Sequence, residues 1–341
     1  MKNRYRTPLI VVLCLTIFMA GGIAVTIVSQ SKKNTVRNMK KLTARNDLQN
    51  YGVEIIPSAS DNFDSVLRQY IGSDDSLISL VGSAKPFAFF IKNNSRKEIV
   101  GVSLRWKFTD STNGRSVEIP QSEANPGVLM GIKPLDPQMA GKTSLINSGE
   151  MKFFTYFNDL IGHKIAFANM RFKNPSINYK YQIDSENTES DISSLNSRKE
   201  DFLSPYDDFS MSVDGIVFND GTFIGADENF FFDTLNGDIQ ARKDILTALA
   251  EAKSAGKKDA DILEDILAKT SNVTVNSGAL RAGNATREQV FDFSYKNYLK
   301  NVGSELVMKR ARLSDDYIIR QLQTARLSDF VTLRKIDGFT K

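Results

Sequence analysis

The chain has 341 residues, 41% of them hydrophobic and 25% charged, with a formal net charge of +4. That length supports one large domain or two ordinary ones, and that balance excludes a wholly disordered chain or one steered to nucleic acid by its overall charge. The single cysteine (Cys14) and single histidine (His163) exclude intrachain disulfides, thiolate zinc sites and multi-histidine metal centres.

Residues 7–31 carry no charged side chain, and residues 8–28 are almost continuously apolar. A run of about 20 such residues spans the hydrocarbon core of a bilayer as a helix. Lys2, Arg4 and Arg6 precede it, which also fits a signal peptide, and Ala20-Gly21-Gly22 and Gly22-Ile23-Ala24 offer small residues for cleavage. The apolar run continues past both, so residues 1–31 read as an uncleaved signal anchor in preference to a leader that would leave a secreted protein. Leu13 before Cys14 argues against a lipoprotein. Lys32, Lys33, Arg37, Lys40, Lys41 and Arg45 follow, making residues 32–52 a basic juxtamembrane linker. By the positive-inside rule this flank would hold the body in the cytoplasm. The short N-terminal tail, the cysteine-free body and its polar β character favour an extracytoplasmic one instead, attached to the membrane through residues 8–28.

Residues 53–183 read as an antiparallel β-sandwich. Val53 to Pro57 is a short strand, and Asp61-Asn62 precede a helical period at Phe63, Val66, Leu67, Tyr70 and Ile71. Phe87 to Ile91 is a strand ended by Asn93-Asn94-Ser95. Its successor alternates: Val100, Val102, Leu104, Trp106 and Phe108 on one face, Gly101, Ser103, Arg105, Lys107 and Thr109 on a face expected to be wet. Trp106 reads as a core residue. It is similar to the buried tryptophan of immunoglobulin-like sheets, without the cysteine pair. Val117 and Ile119 follow a turn, residues 120–141 read as loops around short edge strands, and further strands are expected at 143–146, 152–157, 164–172 and 177–183. Residues 184–208 are Ser-, Asn- and acid-rich and read as a polar acidic linker or loop. Their acids lack calcium-loop spacing.

Residues 209–226 carry the clearest hairpin signal, Val213 to Phe218 and Thr222 to Ile224 around Asp220-Gly221, expected to complete the sandwich. Asp227 and Glu228 then suit a helix start. Residues 227–341 read as a helical domain. One helix runs around Ile239 to Ala252, with Asn236-Gly237 able to split its beginning, and a second covers residues 259–269. A third opens on the capping box Thr286 to Gln289, a fourth follows Ser314-Asp315-Asp316, and a last short one starts at Ser328-Asp329. Arg310, Arg312, Arg320, Arg326 and Arg334 give these helices a basic outer face diluted by acids.

The sequence contains no phosphate loop, dinucleotide fingerprint, His-Glu-x-x-His or Gly-x-Ser-x-Gly element. Asp214, Asp220, Asp227 and Asp233 crowd the hairpin, as a metal site or acid pair would, yet Asp also serves turns and caps at such positions. Sequons stand at Asn93, Asn272 and Asn284. The sequence therefore predicts a mixed α and β (α+β) chain: anchor, sandwich, helical domain. Its expected role is a non-catalytic binding or envelope-assembly module with a protein partner, no nucleic acid and no cofactor, and no catalytic, cofactor or metal residue is assigned. The alternatives are a carboxylate-dependent hydrolase with acids near Asp214–Asp233, or a cytoplasm-facing protein whose helices recruit a partner.

Overall fold

A computed structural model describes residues 42–132, 144–173, 185–276 and 284–336. The anchor at residues 8–28 and the expected strand at 177–183 lie outside the described residues. No helix among the described residues is long and apolar enough to cross a membrane.

The linker ends earlier than its composition indicates, because Leu42 and Leu48 are buried and bracket strand β1 (Thr43–Arg45). Strand β2 (Val53–Pro57) follows, then helix α1 (Phe63–Ile71), which buries the expected positions Phe63, Val66, Leu67, Tyr70 and Ile71. Helix α2 (Asp75–Ala84) has no counterpart in the sequence reading. Asp74 caps it, accepting from the Leu77 N–H at 3.2 Å, and Leu77, Leu80, Val81 and Ala84 line its buried face. Strands β3 (Ala88–Asn93), β4 (Ile99–Asp110) and β5 (Arg115–Ala124) come next. Pro120 lies within β5, which ends its sheet, where a missing N–H costs nothing.

At residues 143–146 the expected strand reduces to a single bridge between Ile99 and Ile146, with residue 143 outside the described residues. Strand β6 (Met151–Thr155) matches its expectation. Residues 164–172 do not form the expected strand. They lie in helix α3 (His163–Lys173), whose buried Ile165, Ala168 and Asn169 keep helical spacing. Much of the expected linker is also helix. Helix α4 (Ser185–Arg198) packs on α2 through a narrow apolar stripe centred on buried Leu195, and the Lys199 ammonium donates to the Ser83 carbonyl. A polar helix needs only such a stripe when neighbours supply ion pairs, as Lys164 does for Asp191.

The hairpin forms as expected from strands β7 (Asp208–Phe218) and β8 (Thr222–Ile224), pairing Ile216 with Ile224 and Val217 with Phe223. Gly221 takes φ 82°, the left-handed value that the turn requires. Helix α5 (Phe231–Ser254) runs unbroken through Asn236-Gly237. A Cβ at Gly237 would stand 2.6 Å from the Phe291 carbonyl oxygen, so glycine there admits a close approach of the later helix. Helices α6 (Asp259–Ser271), α7 (Arg287–Arg310) and α8 (Asp315–Leu322) follow, and the Thr286–Gln289 capping box is formed on both sides. The last expected helix is absent. A single turn at Leu327–Asp329 leads instead to strand β9 (Arg334–Lys335), which pairs parallel to β8.

The described residues thus form a mixed α+β fold with two sheets, no closed barrel and eight α-helices. Four of those helices precede the hairpin, so the first half is not purely β. The larger sheet has six strands, β5-β4-β7-β8-β9 with β1 beside β7, and the smaller has three, β2-β3-β6. The two share one core: Phe89 lies 5.7 Å from Trp106, and Phe87 lies 4.7 Å from Phe209. Trp106 is fully buried, and its indole N–H donates to the Gln121 amide oxygen at 2.7 Å; the amide nitrogen of Gln121 then donates to the Thr155 carbonyl on the other sheet.

The other face of β4 is not wet at its start. Gly101 is buried under Phe231 of α5 and Ser103 under Asn229 just before that helix, and a bulge moves Val100 from the inter-sheet core to a second cluster with Phe223, Phe231 and Leu235. A third cluster, built from Ile245, Ile262, Ile266, Val302 and Ile319, holds the helices to one another.

Candidate functional site

The four aspartates around the hairpin divide into three that meet and one that does not. Asp220 stays in its turn, accepting from the Thr222 N–H at 3.0 Å and pairing with Lys97 at 2.7 Å. These contacts hold its carboxyl below the ordinary value, although partial burial opposes them.

Asp214 is the extra residue of a bulge, since Ser103 pairs with Gly215 while Leu104 pairs with Val213. A bulge re-aims one side chain. Here the carboxylate accepts from the Glu228 N–H at 2.8 Å, the Asn229 N–H at 3.0 Å and the Ser103 hydroxyl at 3.2 Å. The Asn229 side chain donates to the Ser103 hydroxyl and to the Leu104 carbonyl, closing the network on β4. Burial raises the carboxyl of Asp214 above its ordinary value, the Asn229 N–H works against that rise, and neighbouring Asp227 adds to it.

Asp227 is fully buried and has φ 56°, as does Phe230. For residues other than glycine that conformation is strained, and here contacts from several elements hold it in place. One oxygen of Asp227 accepts from the Phe232 N–H at 3.0 Å and so secures the first turn of α5. The other meets Arg287 at 2.6 Å and Lys335 at 3.1 Å, while Arg287 also donates to the Asp227 carbonyl at 3.1 Å. Arg287 further pairs with Asp233 at 2.6 Å and lies 4.8 Å from the centre of the Phe230 ring. Burial raises the Asp233 carboxyl despite that partner. At the rim, Glu228 and Glu118 both pair with Arg105. One buried carboxylate thereby joins the hairpin, α5, the first residue of α7 and strand β9.

This arrangement can hold charge and position backbone. Asp214 and Asp227 lie beneath the chain they bind, 2% and 0% exposed. Among the described residues no group of three or more His, Cys, Asp or Glu side chains is arranged to hold a metal ion.

A concavity of about 440 Å³ lies instead between α5, α6 and α7. Ile245, Ala248, Ile266 and Leu299 contribute its apolar surface, and Asp244, Lys269 and Tyr295 add polar groups. The Tyr295 hydroxyl donates to Asp244 at 2.7 Å, and burial together with that carboxylate pushes it up to about 12. The helical spacing of α5, α6 and α7 predicts three helices without announcing that these side chains converge.

The remaining residues singled out in the sequence stand apart from both places. His163 is exposed at the start of α3. Asn93 is fully buried and committed to its turn, donating to the Lys97 and Ile146 carbonyls, whereas Asn272 and Asn284 are exposed. Arg310 is paired with Glu264 and Asp315, and Arg320 with Asp316, while Arg312, Arg326 and Arg334 are exposed.

Sequence reasoning missed Arg287 and Lys335 as partners of Asp227 and read α5 as an ordinary amphipathic helix. The local signal in α5 was two charged residues, Asp238 and Arg242, one turn apart on its buried side. Comparison of the chain with protein-family models, with curated proteins and with solved structures returned no match.

Proposed function

We propose that the protein is a membrane-anchored binding or assembly module of the cell envelope. Residues 8–28 serve as the anchor, the two facing sheets form a sandwich, and the helical half, held extracytoplasmic, meets a protein partner. The observation that carries this reading is the groove on α5, α6 and α7. Its volume is about 440 Å³, and its lining sets apolar Ile245, Ala248, Ile266 and Leu299 among polar side chains that include Asp244, Glu251, Lys269 and Tyr295, so it offers a partner both contact area and hydrogen-bonding groups. The acid cluster supports the same reading, because each of its carboxylates is committed to a main-chain N–H or a cation. Those commitments favour a non-catalytic role. For the hydrolase alternative, with acids near Asp214–Asp233, Asp214 and Asp227 are buried, while the more accessible Asp220 and Asp233 are paired with Lys97 and Arg287.

The test uses the full chain in membranes of its own host. Ala248→Trp, at a half-buried position in the groove, is expected to abolish capture of the partner seen with the wild-type chain while leaving the unfolding midpoint within a few degrees. Equal capture by wild type and variant would refute the groove as the binding surface. Reporters fused to Lys341 test the placement separately: activity of a cytoplasm-only reporter would refute an extracytoplasmic body.

A further inference from the structure

Asp238 is the one aspartate of α5 that is 2% exposed, and its surroundings differ from those of Asp227. One of its oxygens accepts from the Ser294 hydroxyl of α7 at 2.7 Å. The other is buried and has no hydrogen-bond partner among the described residues. An ionised carboxylate offers about four acceptor sites, so a single hydroxyl leaves it largely unsatisfied, and a buried unsatisfied group is costly.

The bare oxygen belongs to a residue lining a small cavity at the seam between the larger sheet and the helices. Ser122, Ala124 and Pro126 close it from the sheet side, and Phe231, Leu235 and Asp238 from α5. Its volume is about 20 Å³, against roughly 10–15 Å³ needed for one water. A single water fits, and a hydrated ion does not.

The charges around this site do not neutralise it. Arg242, one turn further along α5 and 6% exposed, donates to the Leu322 carbonyl at the end of α8 at 2.9 Å and makes no ion pair with Asp238. That carbonyl belongs to a helix C-terminus, which attracts a cation in its own right. From α7 the facing groups are Ser294 and Tyr298, and Tyr298 also feels Arg242 and Glu305. From β5 the facing residue is uncharged Ser122, since Glu123 on the opposite face of the strand is paired with Lys152.

We propose that Asp238 is a proton-binding switch at the seam between sheet and helices, seated tightly when its carboxyl is protonated and loosened by charge and an entering water when it ionises. Protonated, the carboxyl becomes a donor as well as an acceptor and can bond within the cavity without carrying a buried charge. Ionised, it draws water between α5 and β5, and the helix sits less firmly on the sheet.

Burial pushes this carboxyl up to about 7, with the Ser294 hydroxyl opposing, whereas its ordinary value is 3.8. Between those two values the folded chain holds more protons than the unfolded one. Stability from this group is therefore full below the lower value, falls as pH rises through the window, and levels off above the upper one.

The experiment is amide hydrogen exchange of the full chain in detergent micelles at pH 5 and pH 8, corrected for intrinsic rates, on wild type and Asp238→Asn. The expected result is several-fold faster exchange over residues 231–242 at pH 8 than at pH 5 in the wild type, and equal protection at both in the variant. Equal wild-type protection at both pH values would overturn the proposal, as would the same pH response in Asp238→Asn. Ser294→Ala serves as a second variant. Loss of the one donor to Asp238 among the described residues is expected to move the transition to higher pH, and an unmoved transition would also count against the proposal.

Discussion

Asp227 and Asp238 are the same residue type, lie eleven positions apart and are both buried, yet the chain treats them in opposite ways. Asp227 receives the Phe232 N–H, Arg287 and Lys335, so its charge is matched from three directions. Asp238 receives one hydroxyl and keeps an oxygen bare. Burial alone therefore does not decide what a carboxylate contributes; the number and charge of its donors does. The first site fastens the helical half to the sheet. The second sits on the same seam and weakens it once ionised.

The comparison breaks most readily at Asp227. Asp227→Ala leaves Arg287 and Lys335 without their shared partner and the start of α5 without its acceptor. The expected loss is about 3–5 kcal/mol in urea unfolding, the scale of breaking a buried pair from one side. A loss below about 1 kcal/mol would place Asp227 among ordinary surface acids. Arg287→Ala is milder, since Lys335 remains and Arg287 is partly exposed; about 1–3 kcal/mol is expected in the same measurement, with Asp227 still supported.

Asp238→Asn is expected to act with the opposite sign. Replacing a poorly partnered charge by a neutral group should stabilise the protein by about 1–3 kcal/mol at pH 8, the scale of one unsatisfied buried group, with little change near pH 4. Thermal unfolding at the two pH values checks both arms. The smallest effect belongs to Arg320→Ala, which removes an exposed pair with Asp316 at successive turns of α8 and should change stability by no more than about 0.5 kcal/mol.

What could be read from the residues beforehand follows the same division between near and distant partners. The hairpin was legible because Asp220-Gly221 places a glycine where φ must be positive, and the start of α7 because Thr286 and Gln289 bond within one turn. Both signals are local. Helix α3 was misread as a strand because its short apolar run reads either way, and only the burial of Ile165, Ala168 and Asn169 separates the two periods. Helix α4 was missed because its apolar stripe is so narrow, and β9 because two residues cannot display a period. Gly101 and Ser103 were expected in water because nothing within β4 announces that Phe231 and Asn229 will cover them.

The candidate site was half legible for the same reason. That Asp214, Asp227 and Asp233 lie together follows from a short stretch of chain. That Asp227 is held by residues 60 and 108 positions later does not. Sequence reasoning found the acids and gave them turn and cap roles, and the structure adds the cations that make one of them a junction between four elements.

That junction is tested most directly by amide hydrogen exchange of the full chain carrying Asp227→Ala, compared with wild type at one pH. The account predicts lost protection along α5, α7 and β9 together, while the amides of β3 and β4 in the inter-sheet core stay slow. Loss confined to the few residues around position 227, or equal loss in β3 and β4, would contradict a carboxylate that fastens one half of the molecule to the other.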